Sequence, residues 1–116
     1  MNFLSSVATT LLATFLVATS ALATPFDGKW ASSEGECTAA YAEGRLAISG
    51  DRIQFVESVC TLTQPTGVRD MPEARLFDMQ CSGEGMTWSE RTFIGKNGEN
   101  GLLIYNRGFA STYIRC

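Results

Sequence analysis

Three carboxylates, Glu57, Asp78 and Glu90, fall within β-patterned stretches, on faces that also carry apolar residues such as Ile53, Phe55, Leu76, Trp88 and Ile94. Two such groups facing one cleft are what a glycoside hydrolase uses as acid and nucleophile. The competing expectation is that they meet arginines such as Arg75, Arg91 or Arg115, or face solvent, because buried carboxylates are normally paired. The rest of the chain favours the second. None of its 116 residues is histidine, which removes the commonest general base and metal ligand together. The serines lack a nucleophile elbow, and Lys29 and Lys96 follow Phe26 and Phe93 at the third position, so no Ser-x-x-Lys exists. No carboxylate group has the spacing of a calcium loop, and no glycine-rich piece opens a helix that would cradle phosphate. Neither an enzyme nor a metal or cofactor site is expected.

Charge and apolar patterning narrow the class further. Nine basic against 12 acidic residues leave −3, without the basic stripe of a nucleic-acid binder. All of those charges lie after Ala23. Residues 1–23 read as a signal peptide, an apolar run closing on Ala21-Leu22-Ala23, the small-x-small pattern that a signal peptidase cuts after. Residues 24–116 then form a single domain, expected in a periplasm or outside the cell as a monomer, with no membrane association once the leader is gone. Its four cysteines, Cys37, Cys60, Cys81 and Cys116, form an even set without a Cys-x-x-Cys pair, as structural disulfides do in an oxidising compartment.

Short strands separated by turn signals must position these residues. Leu46 and Ile48 with Ile53 and Phe55 flank Ser49-Gly50-Asp51-Arg52 as a hairpin. The β-rich run continues from Ile53 to Leu62 and breaks at Gln64–Gly67 and at Met71-Pro72. A strand follows over about residues 74–81, then a turn at Ser82–Gly85. Residues 86–94 alternate with Met86, Trp88 and Ile94 on one face. Gly95–Gly101 is a turn-rich connection, Leu102–Tyr105 a strand, Asn106–Gly108 a turn and Phe109–Arg115 the last strand. Only Cys37–Glu43 has the character of a helical turn. The expected fold is all-β, a small antiparallel up-and-down barrel of about seven to eight short strands, since closure removes exposed edges. In a closed meander the first and last strands are neighbours, which favours a Cys37–Cys116 bond across that seam. Cys60 and Cys81 then face each other if the chain turns near Asp70 and Met71. The sequential pairing, Cys37–Cys60 with Cys81–Cys116, stays open.

Gly28-Lys29-Trp30 at the start of the first strand resembles the Gly-x-Trp that opens lipocalins, avidin-like barrels and bacterial protease-inhibitor barrels. The resemblance implies that Trp30 plugs one end of the barrel and that Arg115, from the last strand, packs across it. The cysteine contexts, Glu-Ser-Val-Cys60, Cys81-Ser-Gly-Glu-Gly and Tyr-Ile-Arg-Cys116, are similar to small exported four-cysteine bacterial proteins. The chain is far shorter than a lipocalin, and a narrow barrel fills itself with side chains. The resemblance to inhibitor barrels implies a binding module that caps or inhibits another protein, its contact element a turn, Gly83-Glu84-Gly85 or Lys96-Asn97-Gly98 onward to Gly101. An accessory envelope protein and a carrier of small apolar ligands are the alternatives. The mature chain should begin at Thr24 and carry no free thiol. Intact mass after alkylation without reductant checks both, and any alkylated cysteine or retained leader contradicts them.

Overall fold

The computed structural model describes residues 9–14 and 23–116, so most of the expected leader lies outside the described residues. From Gly28 the chain forms eight strands: β1 (Gly28–Ala31), β2 (Arg45–Ser49), β3 (Arg52–Phe55), β4 (Val59–Val68), β5 (Met71–Gly83), β6 (Met86–Lys96), β7 (Gly101–Asn106) and β8 (Phe109–Arg115). Each pairs antiparallel with the next, and β8 returns to β1, closing the barrel. The up-and-down topology expected from successive turn signals is the one found. We call the end bearing the β1–β2, β3–β4, β5–β6 and β7–β8 connections upper, and the other end lower.

Tight turns follow from residue type. Glu84-Gly85 and Arg107-Gly108 both have positive φ at the two central positions (50° and 75°, 50° and 77°), the arrangement whose twist suits two-residue hairpins. Gly50, with φ 59°, opens the β2–β3 turn in the same region. Three sequence expectations are corrected. The run from Ile53 to Leu62 is two strands, because the chain reverses at Val56–Ser58 and Phe55 N–H donates to the Ser58 carbonyl. Gln64–Gly67 does not end a strand: β4 passes through it as a bulge in which the register jumps from Thr63↔Asp78 to Thr66↔Leu76. Gln64 takes φ 52° there, and the irregularity accommodates Pro65, which has no N–H for a regular ladder. The helical turn is a 3-10 segment at Glu34–Cys37 rather than Cys37–Glu43.

Alternate residues of every strand point inward. Trp30, Leu46, Ile48, Ile53, Leu62, Phe77, Met79, Ile94, Leu102 and Ile104 form one buried cluster, closed below by Phe26. Cys60 and Cys81 are register partners within that cluster, so their disulfide is core material as well as a staple. The second bond joins Cys37 to Cys116, with Cα atoms 5.5 Å apart. This is the nested pairing, and the sequential alternative is excluded. Two disulfides mark an oxidising, non-cytoplasmic compartment. Among the described residues, no helix is long and apolar enough to cross a membrane.

The β6–β7 connection is held where Asn97 N–H donates to the Gly101 carbonyl (2.9 Å). A Cβ at Gly101 would drive into the Asn97 backbone oxygen, whereas one at Gly67 meets nothing within 4 Å. Gly101→Ala should therefore lower stability by about 1–3 kcal/mol while Gly67→Ala stays near the parent. Urea melts of the two variants test this, and equal midpoints would refute the assignment.

Candidate functional site

The candidate residues fall at opposite ends of the barrel. At the lower end Trp30 is fully buried, and its indole Nε1–H donates to the Phe26 carbonyl (2.9 Å). Arg115, its register partner across the β1–β8 seam, lays its guanidinium carbon 4.2 Å from the indole ring centre. The same guanidinium donates to the Asp27 carbonyl (3.0 Å). It passes directly over Gly28, whose φ of 142° few other residues tolerate and whose position would set a Cβ against Arg115. On this end Lys96 Nζ sits 5.2 Å from the Trp30 ring centre and donates to the Glu99 carbonyl. Lys96 thus packs on the core, and its connection with Asn97 and Gly98 continues the lower closure. Sequence reasoning passed over Asp27, whose side chain accepts from Thr24 Oγ1 and the Gly50 N–H. An aspartate just before a glycine is the signal, since its side chain readily caps nearby backbone. A cavity of about 560 Å³ opens beside this plug, lined by Phe26, Leu62, Pro65, Phe77, Asp51 and Arg75 among others.

Gly83, Glu84 and Gly85 belong to the upper end. A cavity of about 430 Å³ there is lined by Glu57, Ser58, Gly83, Glu84, Met86, Trp88, Glu90 and Arg107. Glu90 faces inward with its side chain 9% exposed, and Arg107 reaches from the β7–β8 turn to pair with it at 2.6 Å. One turn below, Asn106 Nδ2 donates to the buried Thr92 Oγ1 (3.3 Å). These two contacts join the β7–β8 turn to β6 above their last backbone pairing. Asp78 pairs with Arg91 on the outer wall (3.1 Å) and takes no part in the mouth.

Of the three carboxylates, then, two meet arginines, although Glu90 uses Arg107 rather than Arg75, Arg91 or Arg115. Glu57 does not. Its neighbour is Glu84, and that negative charge, a hydrogen bond between the two carboxyls, and the charge of Glu43 together raise its pKa above 4.5. Glu57 and Glu90 line one mouth, but Glu90 is committed to Arg107 and Glu57 stands in water. The arrangement offers a charged, partly apolar recess for a contacting group. Compared with protein-family models, curated proteins and solved structures, the chain matches none. The likeness to lipocalin and inhibitor barrels therefore rests on the residues quoted above.

The Glu57–Glu84 contact carries a pH signature. In acid Glu57 is protonated in both the folded and unfolded chain, and its hydrogen bond to Glu84 is kept. As pH rises, the unfolded chain releases the proton first, so the stabilisation fades through the raised folded pKa and repulsion follows. Glu84→Gln should melt higher than the parent at pH 7, with the gap closing near about pH 4. A gap unchanged between the two pH values counts against this account.

Proposed function

We propose that this is an exported binding module that docks through the upper end of its barrel on another protein, capping or inhibiting it. One observation carries the reading. Every upper connection presents a large apolar side chain to solvent: Tyr41 (92% exposed) in β1–β2, Val56 (44%) in β3–β4, Met86 (65%) after the β5–β6 turn and Phe109 (77%) after the β7–β8 turn. Exposed apolar side chains on successive connections, with charged residues beside them, support a protein contact there. Gly83-Glu84-Gly85 is the turn that leads into Met86, beside Glu57 and Trp88. The Lys96–Gly101 connection, at the other end and engaged with Trp30, supports docking less. Export to a periplasm or beyond the cell agrees with the leader, the two disulfides and the resemblance to exported four-cysteine bacterial proteins. The module acts as a monomer by contact rather than by catalysis, since the chain lacks histidine and its mouth carboxylates face each other or an arginine.

A second reading is supported by the lower cavity, whose walls are mainly apolar and whose about 560 Å³ falls in the range of small-ligand sites. There the chain would carry a small apolar molecule beside Phe26 and Phe77.

The test uses the oxidised chain from Thr24, alongside a Met86→Ser/Phe109→Ser double variant. A stoichiometric protein partner held by the parent and lost by the variant, with unchanged thermal melting, is the expected result. A partner held equally by both would refute docking at the upper end. A lipid or pigment co-purifying with the chain, seen by native mass spectrometry, would favour the carrier instead.

A further inference from the structure

The strand register leaves part of the barrel wall without a neighbour. Pairing between β6 and β7 begins at Phe93↔Tyr105 and runs to Lys96↔Leu102, whereas β6 starts at Met86. Along residues 86–91 β6 is paired to β5 on one side, from Gly83↔Met86 to Asp78↔Arg91. On the other side, among the described residues, no strand is paired to it. Which backbone groups are left over follows from the turn. Gly83 and Met86 flank a two-residue hairpin and so exchange both N–H···O=C bonds. Alternation then points the N–H and C=O of Met86, Trp88 and Glu90 toward β5, and those of Thr87, Ser89 and Arg91 outward. Phe93, the next of the outward set, is the residue that meets Tyr105 of β7. The Asn106↔Phe109 hairpin independently requires the same phase, because it turns Tyr105 toward β6.

Open edges are normally blunted by proline, bulges, charged side chains, inward-pointing charge or a covering element, and here the inward-pointing Glu90 is neutralised by Arg107. Thr87–Arg91 contains neither proline nor lysine, its pairing with β5 is regular, and Thr87, Ser89 and Arg91 are exposed. Beside the edge lies the mouth with Met86, Trp88 and Glu57. Of the cations nearby, Arg91 is engaged with Asp78 and Arg107 with Glu90, while Arg45 stands on the far side of the β3–β4 connection beside Val56. Among the described residues no ion pair reaches Glu43, Glu57 or Glu84, and their mutual repulsion shows in the raised pKa of Glu57. A row of free backbone groups next to apolar side chains and unbalanced negative charge fits one kind of occupant.

We propose that the Thr87–Arg91 edge of β6 receives an extended, basic and apolar segment of the partner protein as an added antiparallel or parallel strand. Backbone bonds to Thr87, Ser89 and Arg91 hold the segment. Its apolar side chains meet Met86 and Trp88, and its cations meet Glu57 and Glu84. This rests on docking at the upper end and specifies how the docking is made.

Amide exchange followed residue by residue tests it on the oxidised chain, with a short acetylated peptide of alternating valine and lysine as the probe. In the free protein the Thr87, Ser89 and Arg91 amides should exchange fast, while Trp88 and Glu90 between them are protected by β5. Saturating lysine peptide should slow the first three, and a valine–glutamate peptide should not. Ser89→Pro removes one outward N–H and no bond to β5, and should weaken lysine-peptide binding by about tenfold. Slow exchange at all five positions in the free chain would overturn the proposal. So would no protection by the lysine peptide, equal protection by the glutamate peptide, or protection at Ala110 and Thr112 of β8 instead. Protection of Ser89 that grows with protein concentration alone would assign the edge to a second copy of the chain, and would also overturn it. The exchange measurement on the parent stands even if the proline variant fails to fold. Loss of the partner in the Met86/Phe109 variant without any change at the β6 amides would leave upper-end docking intact and remove only strand addition.

Discussion

Eight strands make a barrel only if the first and last meet, and here that meeting is narrow. β1 and β8 share two register pairs, Trp30↔Arg115 and Ala31↔Ile114. Every other strand pairing in the barrel is between sequence neighbours, most of them tied by a short turn. The seam is instead held by reinforcement from several directions. Arg115 lies over the Trp30 ring, Cys116 N–H donates to the Lys29 carbonyl (2.8 Å), and the Cys37–Cys116 bond ties the strand to the loop after β1. The cation–aromatic contact contributes about 0.5–2 kcal/mol, and closing a loop of this length adds several kcal/mol in the chain-entropy model. Without that closure Trp30 would lose its wall, and the inward faces of β1 and β8 would meet water.

The interior of the barrel is filled with side chains. Trp30, Phe77, Met79 and the Cys60–Cys81 bond occupy the space between opposite walls. Polar groups enter near the upper end as Glu90 with Arg107 and Thr92 with Asn106. Both pairs serve where β7 and β8 stop short of the height of β6, so that side chains take over from backbone bonds. The stagger that a barrel requires between neighbouring strands therefore produces both the polar mouth and the step in the wall beside it.

Much of this was readable because it is local. Alternation and glycine turns located the hairpin around Gly50-Asp51, strand β6 and strand β8. Topology favoured the nested disulfide pairing without excluding the sequential one, since a closed meander makes neighbours of the first and last strands, and the structure decides for it. What escaped depends on contacts distant in sequence. Val56-Glu57-Ser58 contains neither glycine nor proline, so nothing in it announces a reversal. Gln64-Pro65 reads as a break, and only the opposing Phe77 shows that β4 continues as a bulge. Arg107 has no feature that assigns it to Glu90, and the Glu57–Glu84 pair joins two turns that the β4–β5 pairing brings together, where Val59 meets Ser82.

The two disulfides also differ in reach. Cys60 and Cys81 are 1% and 5% exposed, inside the wall, while Cys116 is exposed and Cys37 half-buried on the outside. Thiol exchange needs an attacking sulfur to arrive in line with the bond it breaks, so access ranks the two independently of how strongly each stabilises. A mild reductant would meet the outer bond first. The molecule would then pass through a form that keeps its inner staple while its seam is free to part, a curled sheet exposing β1 and β8. A thiol-rich environment would thus unbutton this protein at one place before it unfolds anywhere else.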